Sequence, residues 1–443
     1  MKNDSELNTI IKAYFKYFIP TTIGMIMFSL YCFADVFFIS IGSGTNGLAA
    51  LNICLPVFTV FSAVGMMFGV GTSICISILR GQEKWEQANK TFTLSFMTIL
   101  VLSIVMTIFY YIFLKDIAVF LGANDALIDN VLAYLKPLGG CIVFYILGGM
   151  LTIVIRGDGN AKLAMVAGLI GNIVNIVLDY IFIIPLQMGV FGAGLATVIG
   201  PIISFCILML HFVLKQNQIA FTKHFLEFKL LFRVIKNGVS ISILEIATGT
   251  ATFLTNITLM KMGGESYVAI FSVLANIAFI GKNIFAGTAQ AAQPIISLNY
   301  ASGKFDAVKK ANLIATTTAL IIGIISTFFM TLFSKQIIGF FLSYNPEIIK
   351  DGMIAIKIYY SVFCIIGVNT ILMYYFQSLE KSLYSTLLSL LRGMVFIGIG
   401  LVYLPKLFQV NGVWLTVPLA EVLTFAIFYP LKRKFESKHL CTT

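Results

Sequence analysis

The chain is written twice. Laying its second half over its first brings Gly264 onto Gly44, Ala269 onto Ala49 and Ser297 onto Ser77, and the run Lys304-Phe305-Asp306 onto Lys84-Trp85-Glu86. The register slips by a single residue in the middle, where Lys357 meets Lys136. It then returns, with Val410 on Val190, Gly412 on Gly192, Leu415 on Leu195 and Phe425 on Phe205. A repeat half the chain long is too large for a solenoid unit. It is the size of a duplicated lobe, and membrane transporters are commonly built from such lobes.

Composition says where those lobes reside. Hydrophobic residues make up 59% of the chain and charged residues 11%, against about 25% charged in a soluble domain. Apolar runs long enough to cross a bilayer, about 20 residues, lie near 14–40, 48–79, 89–114, 131–155, 162–185 and 192–214. A second set lies near 237–260, 268–298, 311–333, 352–376, 382–404 and 412–431. The expected fold is therefore an all-α integral membrane protein with twelve transmembrane helices in two six-helix lobes. Six crossings return each lobe to the face where it began, so the lobes are parallel repeats and not inverted ones. The expected organisation is an N-terminal lobe over 1–214, a cytoplasmic linker and natural hinge over 215–236, a C-terminal lobe over 237–431 and a cytoplasmic tail over 432–443.

Lysine and arginine orient the chain. With the N-terminus inside, the inner segments hold most of them: the N-terminal tail, 80–90, 156–162, 215–236, 304–310, Lys381 and the C-terminal tail. The outer loops hold only Lys115, Lys136, Lys261, Lys335, Lys350, Lys357 and Lys406. This asymmetry predicts both termini on the cytoplasmic side of a cell membrane. It also accounts for most of the net charge of +11. Basic residues dispersed among short loops make a poor nucleic-acid surface, so no nucleic-acid partner is expected. No cleavable signal peptide is evident, since the polar start leads into a span long enough to remain as a helix. Cys32, Cys54, Cys75, Cys141, Cys206 and Cys364 lie in spans without metal-ligand or redox spacing. The histidines, His211, His224 and His439, fall at helix ends or tails without ligand spacing. No nucleophile, base or metal constellation suggests an enzyme.

Ionisable residues at membrane depth carry the functional information, because each costs roughly 2.5–3.5 kcal/mol at a helix centre. They are Asp35, Asp179, Glu245, Lys282, Arg392 and Glu421. In the first lobe, Asn172, Asn175 and Asp179 are spaced i, i+3, i+7 and so share one helix face, while Thr197 interrupts an apolar run in the sixth span. That lobe has no lysine or arginine at this depth. Two carboxylates without a cationic partner must take a proton, bind a metal cation or sit in water. Carboxylate, amide and hydroxyl oxygens are hard ligands suited to Na⁺, which makes Asp35, Asn175, Asp179 and Thr197 a candidate cation site. The bland alternative makes Asp35 an interfacial cap and the asparagines glue between helices. The duplication weighs against it: Asp35 aligns with Thr255, Asn175 with Phe396, Asp179 with Gly400 and Thr197 with Val417. An architectural feature would more readily survive in both copies.

The second lobe carries a charged cluster that nearly cancels. Adjacency in the chain suggests Glu245 with Lys282 and Arg392 with Glu421, either as structural ion pairs or with Glu245 as a further coupling carboxylate. Pro20, in the first span, marks either a kink or a helix's first turn.

These residues resemble the multidrug and toxic-compound extrusion (MATE) family, bacterial drug-exporting branch. The resemblance runs the length of the chain. It rests on Ala34-Asp35-Val36-Phe37-Phe38-Ile39, Gly47-Leu48-Ala49-Ala50-Leu51-Asn52, Phe68-Gly69-Val70-Gly71-Thr72-Ser73, Asn172 to Asp179 and Gly189 to Thr197. It implies an efflux antiporter that exports cationic amphiphilic small molecules against inward H⁺ or Na⁺. Transport could be completed within one chain, so a functional monomer is expected, and no cofactor is expected. It implies a cation site at the positions of Asp35, Asn175, Asp179 and Thr197, and it gives Glu245 a helix 7 counterpart. The helix 10 aspartate of some members is missing, since Asp351 lies only at the outer edge of that span. The alternative within the same superfamily is a lipid-linked precursor flippase, which would favour a cationic cavity.

Overall fold

The computed structural model describes residues 2–342 and 346–440, with side chains from residue 7 onward. Among the described residues every regular element is helical. In chain order these are α1 (Lys2–Gly81), α2 (Trp85–Ile112), α3 (Leu114–Phe120), α4 (Ile128–Leu138), α5 (Ile142–Gly157), α6 (Ala161–Ile183), α7 (Gly189–Val213) and α8 (Phe228–Gly263). There follow α9 (Glu265–Ala301), α10 (Phe305–Leu332), α11 (Ser334–Phe341), α12 (Pro346–Tyr360), α13 (Phe363–Ser378), α14 (Ser382–Leu390), α15 (Phe396–Phe408) and α16 (Val410–His439).

Among the described residues ten helical stretches are long and apolar enough to cross a membrane. They match the expected twelve spans once α1 is seen to hold two and the more polar α8 is added. The pairs α4/α5, α12/α13 and α14/α15 each make one span, interrupted by a tight 3₁₀ turn, a short break and a π turn over Leu391–Val395 respectively. Leucine, isoleucine, valine and phenylalanine fill these elements, and much of that apolar surface faces outward. On α2, Val101, Ile104, Val105, Ile108 and Ile112 are exposed; on α10, Ile321, Ile324, Ile325 and Phe328 are. Such stripes suit lipid contact, because water would penalise them.

The duplication is visible in the backbone. Gly44 breaks α1 with φ 60° and ψ −155°, and its sequence partner Gly264 joins α8 to α9 with φ 71° and ψ −160°. Residues with a side chain rarely adopt that conformation, so glycine marks the same turn in both halves. Pro20 lies deep inside α1 and not in a first turn. The backbone of α1 leaves helical dihedrals only at Gly44, so the abrupt turn sits there and not at the proline.

By internal packing the chain divides into a first compact unit, Ile19–Ser242, and a second, Met1–Phe18 with Ile243–Thr443. The divisions fall inside α1, next to Pro20, and inside α8, which differs from lobe edges placed at 214 and 237. Packing explains the difference. The start of α8 lies against α1 so closely that a Cβ on Gly238 would strike the Met67 carbonyl, and one on Gly71 the Val234 carbonyl. Ser242 Oγ donates to the Ala63 carbonyl at 2.7 Å.

The expected linker is corrected in two respects. Residues from Phe228 onward are helical. The stretch 216–222 is a docked strap and not a free hinge. Within the first unit the Ala220 amide donates to Asn89 Oδ1 (2.9 Å) and the Thr222 amide to Thr93 Oγ1 (3.0 Å). Ile219 is fully buried, and the Phe221 ring packs on Phe92, Phe96 and Phe212. The expected tail at 432–443 is likewise ordered as far as it is described. The α16 helix continues to His439, Tyr375 donates to Glu436 Oε1 at 2.8 Å, and Phe435 and Leu440 are buried. Residues 441–443 lie outside the described residues.

Candidate functional site

In the first unit, α6 and α7 approach backbone to backbone. A Cβ on Gly200 would meet the Gly171 carbonyl at 2.8 Å and Asn175 Cβ at 3.3 Å. Two glycines facing each other let the helices close up, so the polar side chains just beyond them share a small space. Asn175, Asp179, Thr197 and, from α1, Asp35 are all buried there, with Asp179 fully inaccessible. Thr197 Oγ1 donates to the Ala193 carbonyl at 2.9 Å and lies 3.5 Å from the Tyr134 hydroxyl. Tyr134, on α4, is fully buried and lies beside the Asp35 carboxyl. The Asp35 and Asp179 charges lie near enough to act on each other. Phe38 packs edge-on to Tyr180 and Phe58 to Tyr134, adding apolar wall on two sides.

What this cluster lacks is positive charge. Asp35 Oδ1, both Asp179 oxygens and both ends of the Asn175 amide are buried without a hydrogen-bond partner among the described residues. Buried carboxylates left uncompensated cost several kcal/mol each. The oxygens therefore form a ready acceptor set for a proton or a small hard cation. Asn172 stands one turn away, half-buried, and makes no side-chain hydrogen bond to the set. Sequence reasoning missed Tyr134, since a tyrosine in an apolar helix gives no signal by itself.

In the second unit only one of the two suggested ion pairs forms. Arg392 Nε donates to Glu421 Oε1 at 2.8 Å. Arg392 also donates to Thr370 Oγ1 (3.1 Å) and the Ile366 carbonyl (3.4 Å), while Asn369 donates to Glu421 Oε2 (2.7 Å) and its carbonyl (2.9 Å). The charge is thus paired and hydrogen-bonded on several sides, as a buried pair requires. Glu245 and Lys282 do not pair among the described residues. Lys282 instead lies 5.9 Å from the Tyr359 ring centroid, and Glu245 is half-buried on α8. Adjacency along the chain was the only basis for that pairing, and helix rotation is not legible from it.

A second polar centre was not expected at all. Asp158, beyond the end of α5, accepts from Arg80 Nη1 (3.1 Å), His211 Nε2 (2.9 Å) and the Gln218 amide of the strap (2.8 Å). Asn160 caps α6 by accepting from the Leu163 amide, which turns its Nδ2 toward His211 Nδ1 and Gln216 Oε1. His211 Nδ1 is therefore an acceptor, and Nε2–H is the donor to Asp158. This centre fastens the strap to the ends of α1, α5 and α7.

Known proteins share the fold over nearly the whole chain. The MatE family profile matches residues 20–181 and 240–404. The chain belongs to the MatE family. Among MatE relatives, the multidrug export protein MepA of Staphylococcus haemolyticus (strain JCSC1435) is 24% identical over 435 residues, covering 97% of this chain and 95% of its own. MepA of Staphylococcus aureus (strain MRSA252) is 22% identical over 422 residues, covering 94% and 92%. A multidrug-resistance MATE family transporter solved in an outward-facing conformation superposes with a TM-score of 0.91 at 25% identity, covering 96% of each chain. A MOP superfamily transporter from Pyrococcus furiosus, solved with a binding pocket described as reversed in polarity, gives 0.90 at 25% identity over 97% of each. The chain is therefore a bacterial MATE transporter and a multi-pass membrane protein. Its all-α fold of two six-helix lobes is that of the MATE structures.

Proposed function

We propose that this transporter is an efflux antiporter for multiple drugs and other organic cations, driven by inward movement of H⁺ or Na⁺ with alternating access. The observation that carries the reading is the set of orphaned buried atoms on Asp35, Asn175 and Asp179. With Thr197, these residues offer carboxylate, amide and hydroxyl oxygen and no basic partner, which suits a coupling cation. The MepA relatives, named for multidrug export, supply the substrate class. A coupling ion can drive the cycle only by binding one conformation better than the other. Entry of one elementary charge down the membrane potential adds about 2.3 kcal/mol per 100 mV. Export proceeds from the cytoplasm across the cell membrane, with both termini inside, and a single chain suffices for the cycle. Arg392–Glu421 acts as a structural pair in this scheme, and Glu245 remains a candidate second coupling carboxylate.

The test is uptake of a cationic dye into everted vesicles energised by a pH gradient or by a Na⁺ gradient, comparing wild type with Asp35→Asn. Gradient-driven dye movement in wild type, lost in the variant at equal expression, is the expected result, and the effective gradient names the ion. Dye movement that ignores both gradients and survives the substitution would favour the lipid-linked precursor flippase and leave the cluster a structural role.

A further inference from the structure

The second unit contains a run of buried polar groups that starts at the ion pair and continues along α13 and α9. On α13, Thr370, Tyr374 and Ser378 are spaced i, i+4, i+8 and so form one row about 12 Å long. At one end of the row Thr370 Oγ1 accepts from Arg392 at 3.1 Å. In the middle the Tyr374 hydroxyl accepts from Gln290 Nε2 of α9 at 3.1 Å. At the other end the Ser378 carbonyl accepts from Ser297 Oγ at 3.0 Å. One turn beyond Ser297 the chain is exposed, at Ser302, Gly303 and Lys304. The row thus joins the Arg392–Glu421 pair to one aqueous end of the bundle.

Along it, polar atoms are buried without partners: Gln290 Oε1, Gln293 Nε2, Asn312 Oδ1 and, beside Glu421, Asn369 Oδ1. These residues are at most 3% exposed. Gln293 stands one turn from Gln290 on the same face of α9. The tight connection at 302–304 sets the α9–α10 hairpin so that Asn312 lies level with Gln293. Turning an amide over would exchange which end is orphaned and still leave one orphan. Each amide can present either its N–H or its oxygen at the orphaned position, and water, which both donates and accepts, answers every one of them in either orientation.

The duplicated half supplies a control. In the alignment Gln290 falls on Val70, Asn312 on Phe92 and Tyr374 on Ile153, all buried apolar residues of the first unit. The shared scaffold therefore packs dry at these three positions, whereas Gln293 and Ser297 fall on Ser73 and Ser77, which are also buried and polar. We propose that Gln290, Gln293, Asn312, Asn369 and Tyr374 hold a chain of buried waters running from the Arg392–Glu421 pair to the solvent beside Lys304. Through it this pair exchanges water with that aqueous phase.

Hydroxyl-radical footprinting by X-ray radiolysis of the full-length transporter tests this, because radicals form from water in place and mark the side chains touching it. A matched residue removes the difference in intrinsic reactivity: Tyr374 against Tyr110, both at most 3% exposed. The expected result is several-fold faster modification of Tyr374 than of Tyr110. In a folded Gln290→Leu/Gln293→Leu variant Tyr374 should fall to the rate of the control. Equal wild-type rates would overturn the proposal without recourse to any variant. Unchanged fast labelling in the variant would overturn the role given to the glutamines.

Discussion

At the scale of single residues, the Arg392–Glu421 pair shows how a buried charge depends on all its partners. Replacing Glu421 by Leu leaves a buried guanidinium with only Thr370 and a carbonyl to face, at a cost of about 3–5 kcal/mol. The Arg392→Met/Glu421→Leu double variant removes both charges and should recover much of that loss. Thermal unfolding in detergent distinguishes the two outcomes; equal destabilisation by both variants would mean that the pair is not coupled. Residues of this kind were legible in the sequence because charge at membrane depth is rare and conspicuous. That is how Asp35, Asp179, Arg392 and Glu421 stood out. Tyr134, Asn369 and Thr370 did not, since tyrosine, asparagine and threonine in spans are common. Their importance comes from neighbours on other helices that no local pattern reveals. Glu245 and Lys282 are the converse case: conspicuous residues whose supposed partnership required a helix rotation the sequence does not give.

At the scale of elements, the strap is the main departure from expectation. Its hydrophilic composition reads as a linker, yet its backbone amides are spent on side chains of α2 and on Asp158. Asp158→Ala removes a charged acceptor worth about 1.5–3 kcal/mol per hydrogen bond. Amide hydrogen exchange at Gln218 should then quicken by roughly tenfold or more, with smaller gains at Ala220 and Thr222, while α2 itself stays protected. Unchanged exchange across 216–222 would show that Phe221 and Ile219 hold the strap unaided. The helices were legible because runs of apolar residues about as long as a bilayer is thick permit little else. The strap's docking was not, because it depends on single side chains from three distant segments. The turn glycines lie between these extremes: their alignment in the two halves is visible in sequence, but their shared positive φ appears only in the structure.

At the scale of the whole molecule, the apolar runs foretold the number of spans and the all-helical fold, and the duplication grouped them into two like lobes and exposed the candidate cation cluster by its absence from the second copy. It did not reveal where the compact units divide. A duplicated sequence suggests a cut between its copies, whereas packing places the divisions inside α1 and α8. Severing the chain within 223–227 tests this. Each fragment expressed alone should fail to give a monodisperse peak on size exclusion, and the two expressed together should restore one. A monodisperse N-terminal fragment by itself would show that the first unit is complete without α8.

The same crossing of units sets an order of events during synthesis. The first unit lacks part of its packing until the start of α8 has left the ribosome and reached the bilayer, well after its own sixth span. Until then the faces around Met67, Gly71 and Cys75 that receive Val234, Asn237 and Gly238 stand open to lipid and to the translocation machinery. Completion of the first half is thus timed by the arrival of the second, so a ribosome that stalls between them leaves an unfinished product that membrane proteases can recognise.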